Sequence, residues 1–190
     1  MPKKILQKED KVLRKIAKEV PVSEIPKLKI KKILKEMSGA LRSQSDGVAI
    51  AAPQIGYSLR IFVVSSKIFN QNFIANREKR LSQEPHPDPL LVKEREEIPK
   101  DLVFINPKIS KLSREKAWVP EGCLSVRPLY GKARRSKKTI ITAYDENGNK
   151  FTRGAAGLLA QIFQHETDHL DGILFIDHAK DVKAEEAPKK

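Results

Sequence analysis

The feature that most constrains the fold of this chain is a polar motif embedded in an apolar segment. Residues 154–170 are rich in alanine, leucine, isoleucine and phenylalanine, which predicts a buried helix that stops at Asp171 and Gly172. Near its end, His165, Glu166 and His169 form the H-E-x-x-H pattern. Residues four apart share one face of a helix, so both imidazoles can reach the same metal ion. Burying these groups without partners costs free energy, so a metal site explains them better than a chance pattern on an exposed helix.

A catalytic site of the zinc type needs a third protein ligand, in addition to a general base such as Glu166. The long metzincin pattern does not supply one here, because its last position is Phe175. Further downstream, Glu185 and Glu186 lie in a lysine-rich tail, and His178 is more typical of a surface histidine. The ordinary metalloprotease patterns therefore lack a ligand.

Cys123 is the only cysteine, which excludes an internal disulfide and suits a reducing compartment. Two interpretations of it are open: a small buried apolar side chain, or the missing metal ligand. A thiolate is a good ligand for Zn²⁺ or Fe²⁺. Beside it, Gly122 permits close approach of a backbone, and Leu124 offers an N–H group next to the metal.

A third segment, residues 47–56, combines small residues with an amide. The small residues permit close packing against a backbone or a ligand, and Gln54 adds a donor after an apolar stretch. An ordinary tight turn into a strand explains the same pattern.

The charge of the chain favours polyanionic partners without naming a function. The 190 residues include 37 Lys and Arg against 24 Asp and Glu, a formal charge of +13. Residues 1–46 hold 13 of the basic and 6 of the acidic residues. A solvated lysine-rich surface is the alternative explanation. The sequence has no apolar run that could cross a bilayer, and no secretory signal is expected, because charged residues come before any apolar region at the N-terminus. No zinc finger, aromatic RNA platform or Gly-Lys phosphate loop accompanies the charge.

Periodicity predicts a mixed fold in one domain. A helix is expected at residues 26–43, strands at 60–64, 102–105 and 139–144, and a hairpin at Asn147-Gly148 with a returning strand at 150–153. Residues 1–178 form the predicted catalytic domain. Residues 67–101, with four prolines, are predicted to be a surface insertion loop, and residues 179–190 a polar, disordered tail.

Three motifs together resemble one family, the peptide deformylases. That family carries G-x-G-x-A-A-x-Q, E-G-C-x-S and Q-H-E-x-D-H in this order, and here they fall at residues 47–54, 121–125 and 164–169. The second and third motifs match at every fixed position. The resemblance spans nearly the whole chain except residues 67–101 and the tail.

The resemblance implies an α+β fold with antiparallel β-sheets packed around a central helix that carries the H-E-x-x-H motif. It implies a hydrolase that removes the formyl group from N-formylmethionine of nascent polypeptides and releases formate. Cys123, His165 and His169 would bind one divalent metal ion, natively Fe²⁺ with Zn²⁺, Ni²⁺ or Co²⁺ accepted. Glu166 would be the general base and acid.

The resemblance also implies the roles of residues around the metal. Gln54 and the Leu124 N–H would stabilise the oxyanion, Gly122 would contact the substrate backbone, and Val48 would line the methionine pocket. Arg135 falls where the family places a buried arginine, with Glu121 as its partner.

The chain departs from the family pattern at Ala49, where the first motif has its second glycine. A methyl group there is expected to narrow the cleft if the position needs a glycine-only backbone angle or close passage of the substrate. An alternative function follows: a catalytically weak or inactive deformylase-like protein that acts as a basic ribosome- or RNA-associated factor. The expected partners are N-formylmethionyl nascent peptides and, transiently, the ribosome, with no membrane and no specific DNA, in the cytoplasm.

Overall fold

The chain folds into two antiparallel sheets and two described α-helices. A computed structural model describes residues 1–70, 73 and 100–184. The strands are β1 (Ala49–Ala51), β2 (Ile61–Val64), β3 (Leu102–Leu112), β4 (Lys116–Gly122), β5 (Leu129–Ser136), β6 (Lys138–Tyr144), β7 (Lys150–Ala156) and β8 (Lys180–Ala184). The helices are α1 (Leu28–Arg42) and α2 (Gly157–Leu170). Five strands pair in the order β1-β2-β3-β6-β7, and three pair in the order β4-β5-β8.

Strand β2 of the five-stranded sheet is buried on both faces, because its side chains point alternately toward the two helices. Along β2, Ile61 and Val63 pack in the cluster that contains the apolar side of α1. The residues between and beyond them, Phe62 and Val64, pack in the cluster that contains α2. Because both faces of β2 are buried, both sets of alternating side chains are apolar, and the strand appears in the sequence as a continuous apolar run.

Helix α2 lies between the two sheets and contacts strands of both. Its Leu159, Ile162 and Phe163 pack against the five-stranded sheet. The predicted α+β architecture, with antiparallel sheets around a central helix, is confirmed.

The hairpin predicted at Asn147-Gly148 connects β6 to β7. The Asp145 carboxylate accepts hydrogen bonds from the backbone N–H groups of Asn147 and Asn149, at 2.9 and 2.8 Å. Gly148 has a φ of +85°, a left-handed conformation that glycine adopts without a steric penalty. The helix predicted at residues 26–43 and the strands predicted at 60–64, 102–105 and 139–144 are also present, within a few residues or in longer form.

Two predicted boundaries were wrong because pairing with another strand overrides the local sequence pattern. Residues 154–156 complete β7 opposite residues 138–140, so α2 begins at Gly157. The tail predicted to be disordered from residue 179 forms β8 at Lys180–Ala184, which pairs with β5. Its five exposed residues gain backbone hydrogen bonds rather than apolar burial, so the sequence carries little periodic signal. Residues 185–190 lie outside the described residues.

The predicted insertion loop at residues 67–101 falls mostly outside the described residues. At its start, Ser66–Phe69 forms a short 3₁₀ helix, and at its end the Asp101 carboxylate accepts a hydrogen bond from the Ser66 N–H at 3.1 Å. Of the helices that are described, none has the length and apolar character needed to cross a membrane.

Candidate metal centre and active site

Three side chains with metal-binding atoms converge between the two sheets. Cys123 follows directly after β4, while His165 and His169 lie one turn apart on α2. Their ligand atoms all lie within 4.8 Å of one another, and Cys123 Sγ is 3.1 Å from His169 Nε2. The structure thus brings together the three predicted ligands.

The donor set fits a divalent metal ion. A thiolate and two imidazoles suit Zn²⁺ and Fe²⁺, and three protein ligands leave a position for a further group. The Glu121 carboxylate accepts a 2.7 Å hydrogen bond from His165 Nδ1, which leaves the Nε2 atom of that ring for the cluster. Burial lowers the pKa of His165, but Glu121 and then the Cys123 sulfur more than offset this and hold that pKa well above its usual value. Burial and then His165 hold the pKa of His169 well below its usual value. Positive charge is therefore favoured on the His165 side of the cluster, next to Glu121.

A buried ion-pair network fixes Glu121 behind His165. Arg135 donates two hydrogen bonds to the Glu121 carboxylate, at 3.0 and 2.6 Å, and a third to Asp168 at 2.6 Å. Although burial opposes it, His165 and then Arg135 hold the pKa of Glu121 well below its usual range. The carboxylate is therefore ionised and accepts the His165 N–H, an arrangement that fixes the ring orientation. Arg135 and Glu121 pair as the family resemblance implied.

Two glutamines attach α2 to the smaller sheet. Gln161 Nε2 donates to the Pro120 carbonyl at 2.8 Å. The Gln164 side chain accepts from the Ser136 N–H at 2.9 Å and donates to the Ser136 carbonyl at 3.0 Å. These contacts set the position of the helix relative to β4 and β5, and therefore the distance between the histidines and Cys123.

Glu166 is buried beside this three-residue cluster, and one of its carboxyl oxygens is not held by a hydrogen bond. Its side chain lines the cavity in front of the cluster. Within the described part of the chain, Glu166 Oε2 has no hydrogen-bond partner. Burial raises the pKa of Glu166 to about 7. A carboxyl group with this pKa can accept and return a proton near neutral pH.

Gln54 is oriented so that its amide nitrogen faces the cysteine. Its Oε1 atom accepts a hydrogen bond from the Ala51 N–H at 2.8 Å. The Nε2 atom therefore points the other way, 3.0 Å from Ser125 Oγ and 3.5 Å from Cys123 Sγ. Leu124 lies next to the cysteine, and no described residue accepts a hydrogen bond from its backbone N–H. Two N–H donors therefore lie at the cluster.

Gly122 lies against an aromatic ring at the edge of the site. A Cβ atom at this position would come within 2.4 Å of Tyr130 Cε1, so only glycine fits without moving the ring. The two residues face each other in the pairing of β4 with β5. Glycine is therefore favoured at position 122 because the Tyr130 ring of the paired strand fills the space of a side chain. The substrate contact implied by the family resemblance would be a second reason.

A cavity of about 290 Å³ opens in front of the cluster, close to the lower end of the range that small-ligand sites occupy. Its apolar wall includes Val48, Leu158 and Ile162. Leu158 and Ile162 were missed by sequence reasoning, although their spacing of seven and three residues from His165 places them on the same helix face. The apolar wall suits a methionine-sized side chain.

Ala49 belongs both to the cavity wall and to the apolar core. It lines the cavity, yet it is only 5% exposed and packs in the apolar cluster beneath α2. Its φ is not positive, so no glycine-only backbone angle is needed there. The remaining effect of its methyl group is steric.

The rim of the cavity carries a charged pair that sequence reasoning also missed. Arg127 Nη2 lies 2.6 Å from Asp46 Oδ1, and Arg127 Nη1 lies 3.0 Å from Gln44 Oε1. Both charged residues line the cavity. The pair joins the loop after α1 to the loop that follows Cys123, which are 81 residues apart in sequence.

The chain is similar to known proteins along nearly its whole length. The family model described as polypeptide deformylase matches residues 2–185. Peptide deformylase 2 of Clostridium acetobutylicum is 38% identical over 169 residues, which cover 89% of this chain and 89% of that protein. Peptide deformylase 1A, chloroplastic/mitochondrial, of Arabidopsis thaliana is 37% identical over 170 residues, which cover 88% of this chain but only 58% of that protein.

The fold is also similar to solved structures. The crystal structure of a peptide deformylase from Synechococcus elongatus in complex with actinonin has a TM-score of 0.72 and 30% sequence identity. The match covers 95% of this chain and 80% of that chain.

Proposed function

The chain belongs to the peptide deformylase family, and we propose that the cavity in front of Cys123, His165 and His169 is its active site. The protein is a hydrolase that removes the formyl group from nascent peptides, in the N-terminal methionine processing step of protein biosynthesis. The observation that carries the site assignment is the convergence of three ligand atoms within 4.8 Å beside a buried carboxyl group. The alternative, an inactive ribosome-associated factor, receives no support from the comparisons.

Cys123, His165 and His169 are the proposed ligands of one divalent metal ion. Fe²⁺ is the proposed native ion, with Zn²⁺, Ni²⁺ and Co²⁺ as substitutes, because a donor set of one thiolate and two imidazoles suits all four. When bound, such an ion acts as a Lewis acid and lowers the pKa of a coordinated water toward neutrality.

Glu166 is the proposed proton carrier. The Glu166 side chain lines the cavity, where its carboxyl group can take a proton from the attacking water. The water oxygen then forms a bond to the formyl carbon. As the carbon–nitrogen bond breaks, Glu166 returns the proton to the leaving amine, and formate departs with a free N-terminal methionine. A pKa of about 7 suits both transfers, because the group is then neither too weak a base nor too weak an acid.

Gln54 Nε2 and the Leu124 N–H are the proposed donors to the oxyanion that forms on the formyl oxygen. Both are fixed in advance, Gln54 by the Ala51 N–H and Ser125 Oγ, and Leu124 by its place next to Cys123. A preorganised donor of this kind is typically worth about 3 to 4 kcal/mol of barrier.

The substrate methionine is proposed to occupy the apolar wall formed by Val48, Leu158 and Ile162. The peptide backbone would then pass Gly122, which lines the cavity at the end of β4.

The direct test is formate release from a formyl-Met-Ala-Ser peptide by iron-loaded protein under anaerobic conditions. Turnover with one metal ion per chain is expected. A protein that holds its metal stoichiometrically but releases no formate would contradict the active-site assignment and favour the inactive alternative.

We expect the Ala49→Gly variant to raise kcat/KM for formyl-Met peptides by roughly 5- to 150-fold, because relief of one overpacked methyl is typically worth about 1 to 3 kcal/mol. Because Ala49 also packs in the core, the same change is expected to lower the free energy of unfolding by about 0.5 to 1 kcal/mol. Steady-state kinetics and denaturant melts measure the two effects separately.

Ala143→Gly is the matched control for this variant. Ala143 is buried in a strand of the same apolar cluster but does not line the cavity. It should lose stability to a similar degree without a gain in kcat/KM. If Ala49→Gly is neutral or harmful to turnover, the methyl group lies away from the substrate.

Transient ribosome association and a cytoplasmic location are part of the proposal. Five exposed lysines lie at or near the first two turns of helix α1: Lys27, Lys29, Lys31, Lys32 and Lys35. A formal charge of +13 favours encounter with a polyanionic particle. Nascent peptides are the substrate, so such a particle is present wherever substrate is made.

Reversal of Lys27, Lys31 and Lys35 to glutamate is expected to weaken binding to purified ribosomes, because the interaction loses phosphate contacts that release counterions. Sedimentation at several salt concentrations measures the affinity. Turnover of a short formyl peptide should not change, since none of the three lines the cavity.

A second triple reversal, at Lys111, Lys138 and Lys150, controls for total charge. These lysines are exposed on the five-stranded sheet. If both triple variants bind ribosomes equally well, α1 is not the docking element.

A further inference from the structure

Strand register gathers basic side chains on the outward face of the three-stranded sheet. Along one edge of β5, Arg134 pairs with Trp118 of β4. Along its other edge, Lys132 pairs with Lys180 of β8. Directly paired residues in antiparallel strands point to the same side of a sheet, as do residues two apart in one strand. Lys116 therefore shares the side of Trp118. We call Lys116, Trp118, Lys132, Arg134 and Lys180 the basic sheet face.

Exposure agrees with this assignment. All five residues are exposed, whereas Ala133 and Arg135, which alternate with them along β5, are buried. A second observation comes from Lys180, whose Nζ lies 4.9 Å from the centroid of the Trp118 ring. Lys180 on β8 can reach Trp118 on β4 only across the face of β5 between them.

The basic sheet face carries four positive charges and no carboxylate of its own. None of its four cations forms an ion pair with any residue in the described part of the chain. Elsewhere on the surface, by contrast, Lys27, Lys108 and Lys137 each pair with a glutamate. The face is therefore a concentrated site of positive potential, available to an external anion.

Trp118 adds a flat apolar surface in the middle of these charges. It is the only tryptophan in the chain and is 43% exposed. An aromatic ring surrounded by cations is the arrangement in which proteins bind single-stranded nucleic acid, because any base can stack on the ring while phosphates contact the cations. The ammonium of Lys180, on its flexible stem, can move from the ring to a phosphate when a base arrives.

We propose that the basic sheet face binds RNA with unpaired bases, with one base stacked on Trp118 and phosphates at Lys116, Lys132, Arg134 and Lys180. RNA is favoured over an acidic protein surface because carboxylates leave the tryptophan ring without a stacking partner. The RNA closest to a nascent peptide is that of the ribosome, and this identification alone rests on the proposed function.

The lone tryptophan allows a direct test. A single-stranded uridine 12-mer is titrated into the protein at low salt while tryptophan fluorescence is followed. We expect quenching, because a stacked base contacts the only fluorophore of this type. Four phosphate contacts predict that log K falls with log salt concentration at a slope of about −3.

Variants separate stacking from charge, with binding measured by the anisotropy of a labelled 12-mer. Trp118→Ala is expected to bind about 5- to 150-fold more weakly, and Trp118→Phe to retain most of the affinity. Lys132→Gln combined with Arg134→Gln should make the salt slope about 1.4 units less steep. The matched control, Lys111→Gln with Lys150→Gln on the other sheet, removes the same charge and should leave both affinity and slope unchanged.

Several outcomes would overturn the proposal. One is unquenched tryptophan at low salt, and another is equal loss of binding in the two double variants. Polyglutamate bound as tightly as the 12-mer would show a site for any polyanion. If the protein binds vesicles of anionic lipid but does not bind the 12-mer, the face is a membrane-binding surface. Hydrolysis of a formyl-Met peptide, measured on the same variants, should equal that of the parent, so a failure of RNA binding is distinct from a failure of the enzymatic function.

Discussion

The Glu166→Gln variant is expected to retain its metal ion and to lose about 10²- to 10⁴-fold in kcat. The substitution preserves the size of the side chain and removes its ability to carry a proton. Because the proposed ligands are Cys123, His165 and His169, coordination should not depend on this carboxyl group. Metal content by elemental analysis and kcat for a formyl-Met peptide are measured on the same preparation.

The position of Glu166 makes this result informative. Burial raises its pKa to about 7, and its Oε2 atom has no partner within the described part of the chain, so no structural hydrogen bond of that atom is lost on substitution. Glu146→Gln, in the exposed turn between β6 and β7, is a control for the loss of one carboxyl group and should leave kcat unchanged. Near-normal turnover by metal-replete Glu166→Gln would remove this residue from the mechanism.

The Cys123→Ala variant is expected to lose most of its bound metal. Loss of a residue that only supports a ligand typically costs 10- to 100-fold in metal affinity, so loss of a ligand should cost at least about 100-fold. Competition with a chelator measures the affinity. Turnover should fall in proportion to occupancy.

His178→Ala tests the competing choice of third ligand. His178 was the alternative histidine downstream of the motif, and it lies in the structure near Asp168, 3.8 Å from its carboxylate, outside the three-residue cluster. This variant should keep its metal. Cys123→Ala that remains fully loaded with unchanged spectroscopy would show that a different third ligand is used.

Cys123 is buried, so its replacement also leaves a small void among apolar neighbours. The two effects are separable in the metal-free state. Without metal, Cys123→Ala should unfold cooperatively and be only modestly less stable than the parent, because metal binding then stabilises neither the parent nor the variant. A variant that fails to fold without metal is replaced by Cys123→Ser, which restores most of the volume and keeps the weaker donor.

The sequence by itself determined the central helix and the polar residues on it. Residues 154–170 have the length and apolar composition of a buried helix, and α2 places His165 and His169, four residues apart, on one of its faces. The Asn147-Gly148 turn was equally local, because the turn depends on the conformation of these residues and on the nearby Asp145 side chain. Structure that depends only on residues close together in the chain can be predicted from the local sequence.

Tertiary structure decided what lies opposite that helix. Cys123 comes within 3.1 Å of His169 because the smaller sheet packs on α2 through Gln161 and Gln164. No periodicity reports such a contact, since the partners lie 46 residues apart and the packing depends on both. The family resemblance implied that Cys123 is a metal ligand, but only the fold explains why Cys123 lies beside the two histidines.

The same holds for the elements that sequence reasoning placed wrongly or missed. Strand β8 exists because the edge of β5 offers hydrogen bonds to its backbone, which its polar sequence does not reveal. The rim pair of Asp46 and Arg127 joins two loops whose residues carry no pattern of their own. The basic sheet face arises from register, since residues from three strands become neighbours only after pairing. Sequence periodicity describes the faces of one element at a time, whereas these sites are made where elements meet.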